Sequence, residues 1–251
     1  MGYKLVIPAR YGSSRLPGKP LLGIAGKPLI RHVIERARQA AADEIVLATD
    51  DERIATVCEP LGVKVLMTSP EHATGTDRLA EVARLMGWPD DAIVVNLQGD
   101  EPLIPFELLD RLAANLAAFP QAAIATLCTP IHHARDLFDP HVVKVVRDKF
   151  GFALYFSRAS IPWERDAFGM EADRHHDHGF RHLGLYAYRA GFLRDFAQWP
   201  EAPIEGLEKL EQLRALWNGA RIHVDVVAEP PGHGVDTPED LARVEALLTR
   251  M

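Results

Sequence analysis

The chain has 251 residues and a formal net charge of −7; 47% of its residues are hydrophobic and 25% are charged. This apolar content excludes bulk disorder, because burying it can offset the entropy that is lost when the chain becomes ordered. The acidic balance argues against a general nucleic-acid binder, since a basic surface is needed to neutralise phosphates.

The first half of the chain alternates predicted strands with predicted helices. Short apolar runs predict strands at 5–7, 44–49, 63–67, 92–97 and 122–129. Amphipathic spacing and capping residues predict helices that begin at Pro28, Asp51, Thr76 and Pro105. Strands separated by helices of about a dozen residues favour an α/β fold, with a mainly parallel sheet and helices on both faces.

The pattern changes after about residue 130. Strands predicted at 142–146, 152–157 and 183–189 have no long helices between them, and Asp148 to Gly151 is typical of a hairpin turn. We therefore expect an antiparallel portion over approximately 130–190. The polar segment 166–178 is expected to be an exposed arm. Helices predicted at about 191–198, 205–218 and 237–250 and a strand at 222–227 complete a chain that we expect to form one domain over 1–251.

The loop that follows the first predicted strand, residues 9–20, has the composition of a phosphate-binding loop. Its three cations are Arg10, Arg15 and Lys19. Gly12 and Gly18 let backbone N–H groups approach phosphate oxygens while the cations neutralise them. The loop departs from the P-loop pattern, because its two glycines enclose five residues and Pro20 stands where Ser or Thr holds Mg²⁺. The alternative is a solvated basic loop without a ligand.

Two acidic positions are candidates for holding a divalent cation. Asp100 follows the strand at 92–97, and ligands of parallel sheets bind beyond the carboxyl ends of strands. Its alternative role is to stabilise the turn. Asp236 precedes Thr237 and Pro238, which suit the N-cap and the first position of a helix. Asp236 is therefore either a second metal carboxylate or itself the helix cap.

Two other segments lie where loops enter helices. The stretch His72 to Arg78 offers hydroxyl groups and Gly75 to a polar ligand, or it simply caps its helix. Asp50 and Asp51 follow the strand at 44–49, and they either cap the next helix or contact a nucleotide at the same edge of the sheet.

Taken together, these motifs resemble the 3-deoxy-D-manno-octulosonate (Kdo) cytidylyltransferases, also called CMP-Kdo synthetases. The matching stretches are IPARYGSSRLPGKPL, ATDDERI, TGTDR, VNLQGDEP, FSRASIPW, RHLGLYAYR, EKLEQLRALWNG and GVDTPEDLARV. They cover nearly the whole chain in order, with Thr74 where the family often has Ser. The resemblance implies a Rossmann-like nucleotidyltransferase fold and the reaction of CTP with Kdo to give CMP-Kdo and pyrophosphate for lipopolysaccharide biosynthesis. It also implies dependence on Mg²⁺ and a homodimer, for which the antiparallel portion is the expected interface.

The resemblance and the chemistry of transfer assign roles to individual residues. The expected catalytic residues are Arg10, Arg15, Lys19, Asp100 and Asp236, of which Asp100 and Asp236 hold Mg²⁺. The expected CTP-binding residues are Ala9, Arg10, Arg15, Lys19, Thr74, Gly75, Arg78 and Gln98. The expected Kdo-binding residues are Gln98, Arg158, His182, Tyr186, Glu211 and Gln212. Arg158 suits the sugar carboxylate as a fork, whereas His182 has a structural alternative and Glu211 is alternatively an ordinary surface charge.

Alternatives remain at the level of function. A related enzyme that loads another acidic sugar, such as a sialate, with CMP would share the nucleotide half of the chain. A catalytically silent nucleotide-binding regulator would have no need to keep Asp100, Asp236 and Lys19.

The cysteines and the apolar runs bear on the compartment. Cys58 and Cys128 lie far apart in apolar stretches and are expected to be buried thiols in a reducing compartment. No apolar run reaches the length of a signal peptide or of a membrane span. We therefore expect a cytoplasmic protein with no nucleic-acid partner and no membrane insertion.

Overall fold

A computed structural model describes residues 2–12, 16–72, 74–166, 175–232 and 234–249. The chain divides into two compact units. The first comprises Met1–Ala114, Arg189–Ala197 and Pro231–Met251, and the second comprises Asn115–Tyr188 and Gln198–Pro230. The expectation of one domain over 1–251 stays a prediction.

The first unit contains a parallel sheet. Its strands in chain order are β1 (Lys4–Ala9), β2 (Gly23–Ile24), β3 (Lys27–Pro28), β4 (Glu44–Thr49), β5 (Lys64–Met67) and β6 (Ile93–Asn96). The parallel order is β6-β1-β4-β5, in which Lys4 pairs with Glu44 on one side and Val94 on the other, while β2 and β3 form a separate antiparallel pair. Leu5, Val6 and Ile7 are fully buried, as a continuous apolar run in a parallel strand should be.

The helices of both units include four that begin within one residue of the predicted starts Pro28, Asp51, Thr76 and Pro105. In chain order they are α1 (Leu29–Ala37), α2 (Glu52–Cys58), α3 (Gly75–Leu85), α4 (Phe106–Ala118), α5 (Ala134–Phe138), α6 (Ala190–Phe196), α7 (Pro203–Glu208), α8 (Gln212–Trp217) and α9 (Pro238–Leu248). Helix α1 buries Leu29, Val33 and Ile34 along one face, as its apolar spacing predicts. In the part of the chain that the structure describes, no helix is long and apolar enough to cross a membrane.

The second unit holds the antiparallel portion. Its strands are β7 (Ile124–His133), β8 (Lys144–Arg147), β9 (Ala153–Ser157), β10 (His175–Arg189) and β11 (Ile222–Val226). Strand β7 runs antiparallel to β10 and parallel to β11, and β8 and β9 form a hairpin. The predicted turn is confirmed, since the Asp148 N–H donates to the Phe152 carbonyl at 2.8 Å and Gly151 has a φ of 87°. The mixed α/β fold with an antiparallel insertion is therefore confirmed.

Two predicted elements are wrong in extent. The end of the expected arm is a strand, because β10 begins at His175 and pairs there with His133 of β7; residues 167–174 lie outside the described part of the chain. The helix predicted over 205–218 is two short helices, α7 and α8. Lys209 interrupts them with a left-handed φ of 52°, which an α-helix cannot contain.

Candidate active site

The carboxyl ends of three parallel strands define one edge of the first unit's sheet. Strand β1 ends at Ala9, β4 at Thr49 and β6 at Asn96. A cavity of about 450 Å³ lies at this edge, within the usual size range of small-ligand sites. It is lined by Pro8, Ala9, Arg10, Lys19, Pro20, His72, Thr74, Gly75, Arg78, Gln98, Gly99, Asp100 and Asp236.

The loop after β6 packs tightly against the end of β1. A Cβ atom on Gly99 would lie 2.9 Å from the Pro8 carbonyl oxygen and 3.3 Å from the Ala9 Cβ. A glycine is therefore required for this approach, which brings Asp100 to the rim of the cavity.

Lys19 and two carboxylates from distant parts of the chain converge at one point. The Lys19 Nζ donates to Asp100 Oδ2 at 2.7 Å, to Asp236 Oδ1 at 3.1 Å and to the Val235 carbonyl at 2.8 Å. Burial alone would lower the pKa of Lys19, but hydrogen bonds and charges from Asp100 and Asp236 outweigh it and raise the pKa. The ammonium group is therefore a cation held between two acidic side chains.

The structure excludes one of the two roles open to Asp236, that of helix cap. Thr237 is the N-cap of α9, because its Oγ1 accepts from the Asp240 N–H at 3.2 Å while Asp240 Oδ2 accepts from the Thr237 N–H at 3.0 Å. This reciprocal pair is a capping box. Asp236 is not the cap, and its side chain faces Lys19.

Thr74 both caps a helix and lines the cavity. Its Oγ1 accepts from the Asp77 N–H at 3.2 Å, and Asp77 Oδ2 accepts from the Thr74 N–H at 3.1 Å, which forms a second capping box at the start of α3. The capping interpretation of this motif is thus confirmed, and Gly75, the first residue of α3, also lies on the cavity wall.

Arg78 is a buried arginine with one face on the cavity. Its Nη2 donates to Asp50 Oδ2 at 2.8 Å, and its Nη1 donates to the Thr68 hydroxyl. Asp51, in contrast, caps α2 by accepting from the Arg53 N–H at 2.9 Å. Of the two adjacent aspartates, Asp51 is therefore the helix cap, whereas Asp50 holds a guanidinium that lines the cavity.

Nine of the residues predicted for catalysis or CTP binding come together here. They are Ala9, Arg10, Lys19, Thr74, Gly75, Arg78, Gln98, Asp100 and Asp236. Arg15, which was predicted with them, lies outside the described residues.

Sequence reasoning assigned no role to two residues at this site. His72 lines the cavity, and its Nε2 lies 2.6 Å from Glu81 Oε2 on α3. Burial, followed by the charges of Asp100 and Asp236, raises the pKa of Glu101 to about 7. Both residues lie inside motifs that the sequence singled out. The His72 contact with Glu81 and the burial of Glu101 near Asp236 arise only in the folded chain.

The predicted Kdo-binding residues belong to the second unit, apart from Gln98. The His182 Nε2 lies 3.0 Å from the Thr126 Oγ1, whose hydroxyl lies 2.8 Å from the Leu185 carbonyl oxygen. Burial lowers the pKa of His182 to about 3, so the ring is neutral at physiological pH. Its ring centroid is 5.5 Å from that of Tyr186, whose pKa is raised by burial and by the nearby charges of Tyr188 and Glu211.

Arg158 and Gln212 differ in how far protein groups satisfy them. The Arg158 guanidinium donates from Nε to the Glu208 carbonyl at 2.7 Å and from Nη1 to the Pro140 carbonyl at 2.9 Å. Gln212 is only 7% exposed, and its Nε2 has no hydrogen-bond acceptor among the residues that the structure describes. Because a buried donor without an acceptor is costly, this amide favours the binding of a polar ligand beside it.

Two curated relatives and one solved structure are similar to the whole chain. A protein of Hahella chejuensis named 3-deoxy-manno-octulosonate cytidylyltransferase is 58% identical over 250 residues, which cover 99% of this chain and 98% of that protein. A protein of the same name from Marinobacter nauticus is 57% identical over 256 residues, which cover 100% of this chain and 98% of that protein. The structure of CMP:2-keto-3-deoxy-manno-octonic acid synthetase complexed with CTP is 45% identical, with a TM-score of 0.88 over 100% of this chain and 99% of that one.

A cavity, a cation-bearing loop and two acidic side chains at the carboxyl edge of a parallel sheet define a nucleotide-binding α/β protein. The profile of the cytidylyltransferase family matches residues 5–222. The chain belongs to this family and, within it, to the 3-deoxy-manno-octulosonate cytidylyltransferases.

Proposed function

We propose that the protein transfers CMP from CTP to the anomeric hydroxyl of Kdo, giving CMP-Kdo and pyrophosphate for lipopolysaccharide biosynthesis. The observation that carries the site assignment is the convergence of Lys19, Asp100 and Asp236 in a cavity at the carboxyl edge of the sheet. Family membership and the CTP bound to a structural relative support the same reaction.

The reaction is a displacement at phosphorus. The anomeric oxygen on C2 of Kdo forms a bond to the α-phosphorus of CTP, and the bond from that phosphorus to the bridging oxygen of the β-phosphate breaks. Pyrophosphate leaves with the electron pair, and the hydroxyl proton passes to water. Such a transfer needs alignment and charge neutralisation rather than a covalent protein nucleophile.

The acidic pair fits Mg²⁺. Asp100 and Asp236 already place oxygens within 3.1 Å of one cationic nitrogen, and Mg²⁺ in phosphate sites is commonly held by one or two carboxylates together with phosphate oxygens and water. Asp100 and Asp236 would therefore hold the ion. When bound, Mg²⁺ would stabilise the negative charge that develops on the phosphates.

The cations of the first loop act on the phosphates. Arg10 lies exposed on the cavity wall, and Lys19 lies at its acidic end. Their charges would bind the β- and γ-phosphates and stabilise the departing pyrophosphate, together with Arg15. Ala9, Thr74, Gly75, Arg78 and Gln98 would recognise the cytidine.

The second unit supplies the sugar-binding residues in this proposal. Because burial keeps His182 neutral, that ring can exchange hydrogen bonds with a sugar hydroxyl but cannot neutralise the Kdo carboxylate. Arg158 is then the cation for the carboxylate, since two of its five N–H groups are used by carbonyls and others remain to form a fork. Tyr186, Glu211, Gln212 and Gln98 would orient the hydroxyls.

A pyrophosphate-release assay with CTP, Mg²⁺ and Kdo tests the proposal. We expect release that requires all three components and falls sharply when UTP replaces CTP or sialic acid replaces Kdo. Faster release with sialic acid would transfer the assignment to another acidic sugar. Binding of CTP without turnover on either sugar would contradict an enzymatic role.

We also propose that the protein is a cytoplasmic homodimer. Four of the nine large hydrophobic side chains that are exposed among the described residues lie between 138 and 163, inside the antiparallel portion; they are Phe138, Phe150, Leu154 and Trp163. A concentration of this kind favours a contact with a second copy. Cys58 and Cys128 are both buried, unbonded thiols, which suits a reducing compartment.

A further inference from the structure

Lys144 is a fully buried lysine in the second unit. It lies on β8, where it pairs with Ser157 of β9 and Arg181 of β10, and its side chain has no exposed surface. A buried ammonium is costly unless all its protons are satisfied. The sequence around it, an apolar strand with one lysine, would ordinarily place that lysine at the surface.

Three backbone carbonyls satisfy the Lys144 ammonium. The Nζ donates to the Arg158 carbonyl at 2.6 Å, to the Val142 carbonyl at 2.5 Å and to the Asp139 carbonyl at 2.9 Å. Lysine has three ammonium protons, so this set uses all of them. One ammonium group thus ties the main chain at Arg158 to the turn over 139–142.

The turn that Lys144 holds also contacts the Arg158 side chain. Pro140, which lies inside the turn, accepts from the Arg158 Nη1 at 2.9 Å. Glu208 completes the arrangement, because its carboxylate accepts from the Arg158 N–H at 2.9 Å and its carbonyl accepts from Nε at 2.7 Å. Arg158 is therefore held through its main-chain N–H and carbonyl and through the Nε and Nη1 atoms of its guanidinium group.

We propose that Lys144 is a positioning residue that holds the Arg158 guanidinium in the orientation needed to bind the carboxylate of the acidic sugar substrate. The inference rests on the proposed function of Arg158. Removing the ammonium would release the Arg158 carbonyl and the turn that carries Pro140, so the guanidinium would lose two of its restraints. A displacement of about 1 Å in a substrate-positioning group reduces rates on the order of 100-fold.

Steady-state kinetics of Lys144→Met, measured separately for Kdo and CTP, test the proposal. We expect kcat/KM for Kdo to fall by about tenfold or more while the KM for CTP stays within about twofold. Lys149→Met is the matched control, since Lys149 is exposed on the neighbouring hairpin turn. Lys144→Gln keeps two N–H donors, and it should fold more readily and lie between the wild type and Lys144→Met.

A double-mutant cycle with Arg158→Ala separates positioning from general loss of structure. If Lys144 acts through Arg158, the double variant is no worse toward Kdo than Arg158→Ala alone. Additive losses, or equal losses toward CTP and Kdo, would overturn the positioning role while leaving Arg158 in place. An unchanged kcat/KM for Kdo in Arg158→Ala would instead contradict the proposed function of Arg158, and with it the role of Lys144.

Discussion

Lys19 stands where a divalent cation would interact with the same two carboxylates. Its ammonium lies 2.7 Å from Asp100 and 3.1 Å from Asp236, and their charges raise its pKa. Two carboxylates and one ammonium leave a net negative charge at the point of convergence. Lys19 therefore holds the two carboxylates together, and under the proposed function it would compete with Mg²⁺ for them.

Lys19→Met should move two measurements in opposite directions. Mg²⁺ binding to the protein without nucleotide should tighten severalfold, because the competing positive charge is gone. The kcat for CTP and Kdo should fall by about 100-fold, because a charge that stabilises the departing pyrophosphate is lost. Isothermal titration with Mg²⁺ and the pyrophosphate assay measure the two effects. Weaker Mg²⁺ binding in the variant would contradict competition at this position.

His182 makes the stability of the fold depend on pH. Burial lowers its pKa from 6.5 to about 3, so between these values the unfolded chain binds a proton that the folded chain does not. Stability from this residue therefore rises with pH across that window and is lost on acidification. Between pH 7 and pH 5 the loss is about 2 kcal/mol.

Urea unfolding at pH 7 and pH 5 checks this effect, with His182→Gln as the comparison. The wild type should lose more stability on acidification than the variant, in which position 182 does not titrate. Equal losses in the two proteins would show that His182 is not buried in its neutral form.

At the scale of secondary-structure elements, two capping boxes determine where helices begin beside the site. Thr74 and Asp77 start α3, and Thr237 and Asp240 start α9. Thr74, which is the cap of α3, lines the cavity, and so does Asp236, which precedes the cap of α9. Local hydrogen bonds thus determine the position of Asp236 relative to its helix.

Thr237→Ala should lower the free energy of unfolding by about 1 kcal/mol, since it removes the side-chain acceptor of the cap. For a chain of this size the melting temperature should fall by about 2–4 °C. Thr249→Ala is the matched control, because its exposed hydroxyl donates to the Glu245 carbonyl near the other end of α9 and is no part of the N-terminal cap. Equal losses in the two variants would argue against the capping box.

Elements with a local signal were predictable, and elements set by tertiary contacts were not. Apolar runs located β1, β4 and β6 to within two residues, because strands buried in a parallel sheet must be apolar throughout. The break at Lys209 has no such signal. It coincides with a buried ion pair in which the Arg214 Nη2 donates to Glu205 Oε1 at 2.6 Å, a contact between residues of two different helices.

The same distinction applies to the site. Asp100 was predictable as a site residue because it follows a buried strand. Asp236 was predictable because it precedes a helix with a recognisable cap. The contact between Asp236 and Lys19 was not predictable, since the two residues lie more than 200 positions apart in sequence. Lys144 was missed because only the folded carbonyls around it explain why a lysine is buried there.

At the scale of the whole molecule, the proposed homodimer gives a direct prediction. The wild type should sediment at twice the 27.9 kDa mass of one chain. Leu154→Arg should shift this mass to that of one chain, because a charge would replace an exposed apolar side chain at the proposed interface. Leu247→Arg, on α9, should remain dimeric. A monomeric wild type, or a dimer that tolerates Leu154→Arg, would contradict this interface.

The central proposal is that Asp100 and Asp236 would hold the Mg²⁺ that the transfer needs, and the kcat of Asp100→Asn at saturating Mg²⁺ tests it most directly. We predict a fall of about a thousandfold with an unchanged melting profile, because the amide keeps the shape of the side chain and loses its charge. Asp91→Asn, an exposed aspartate away from the cavity, should keep the wild-type rate. A near-wild-type kcat for Asp100→Asn would contradict the account.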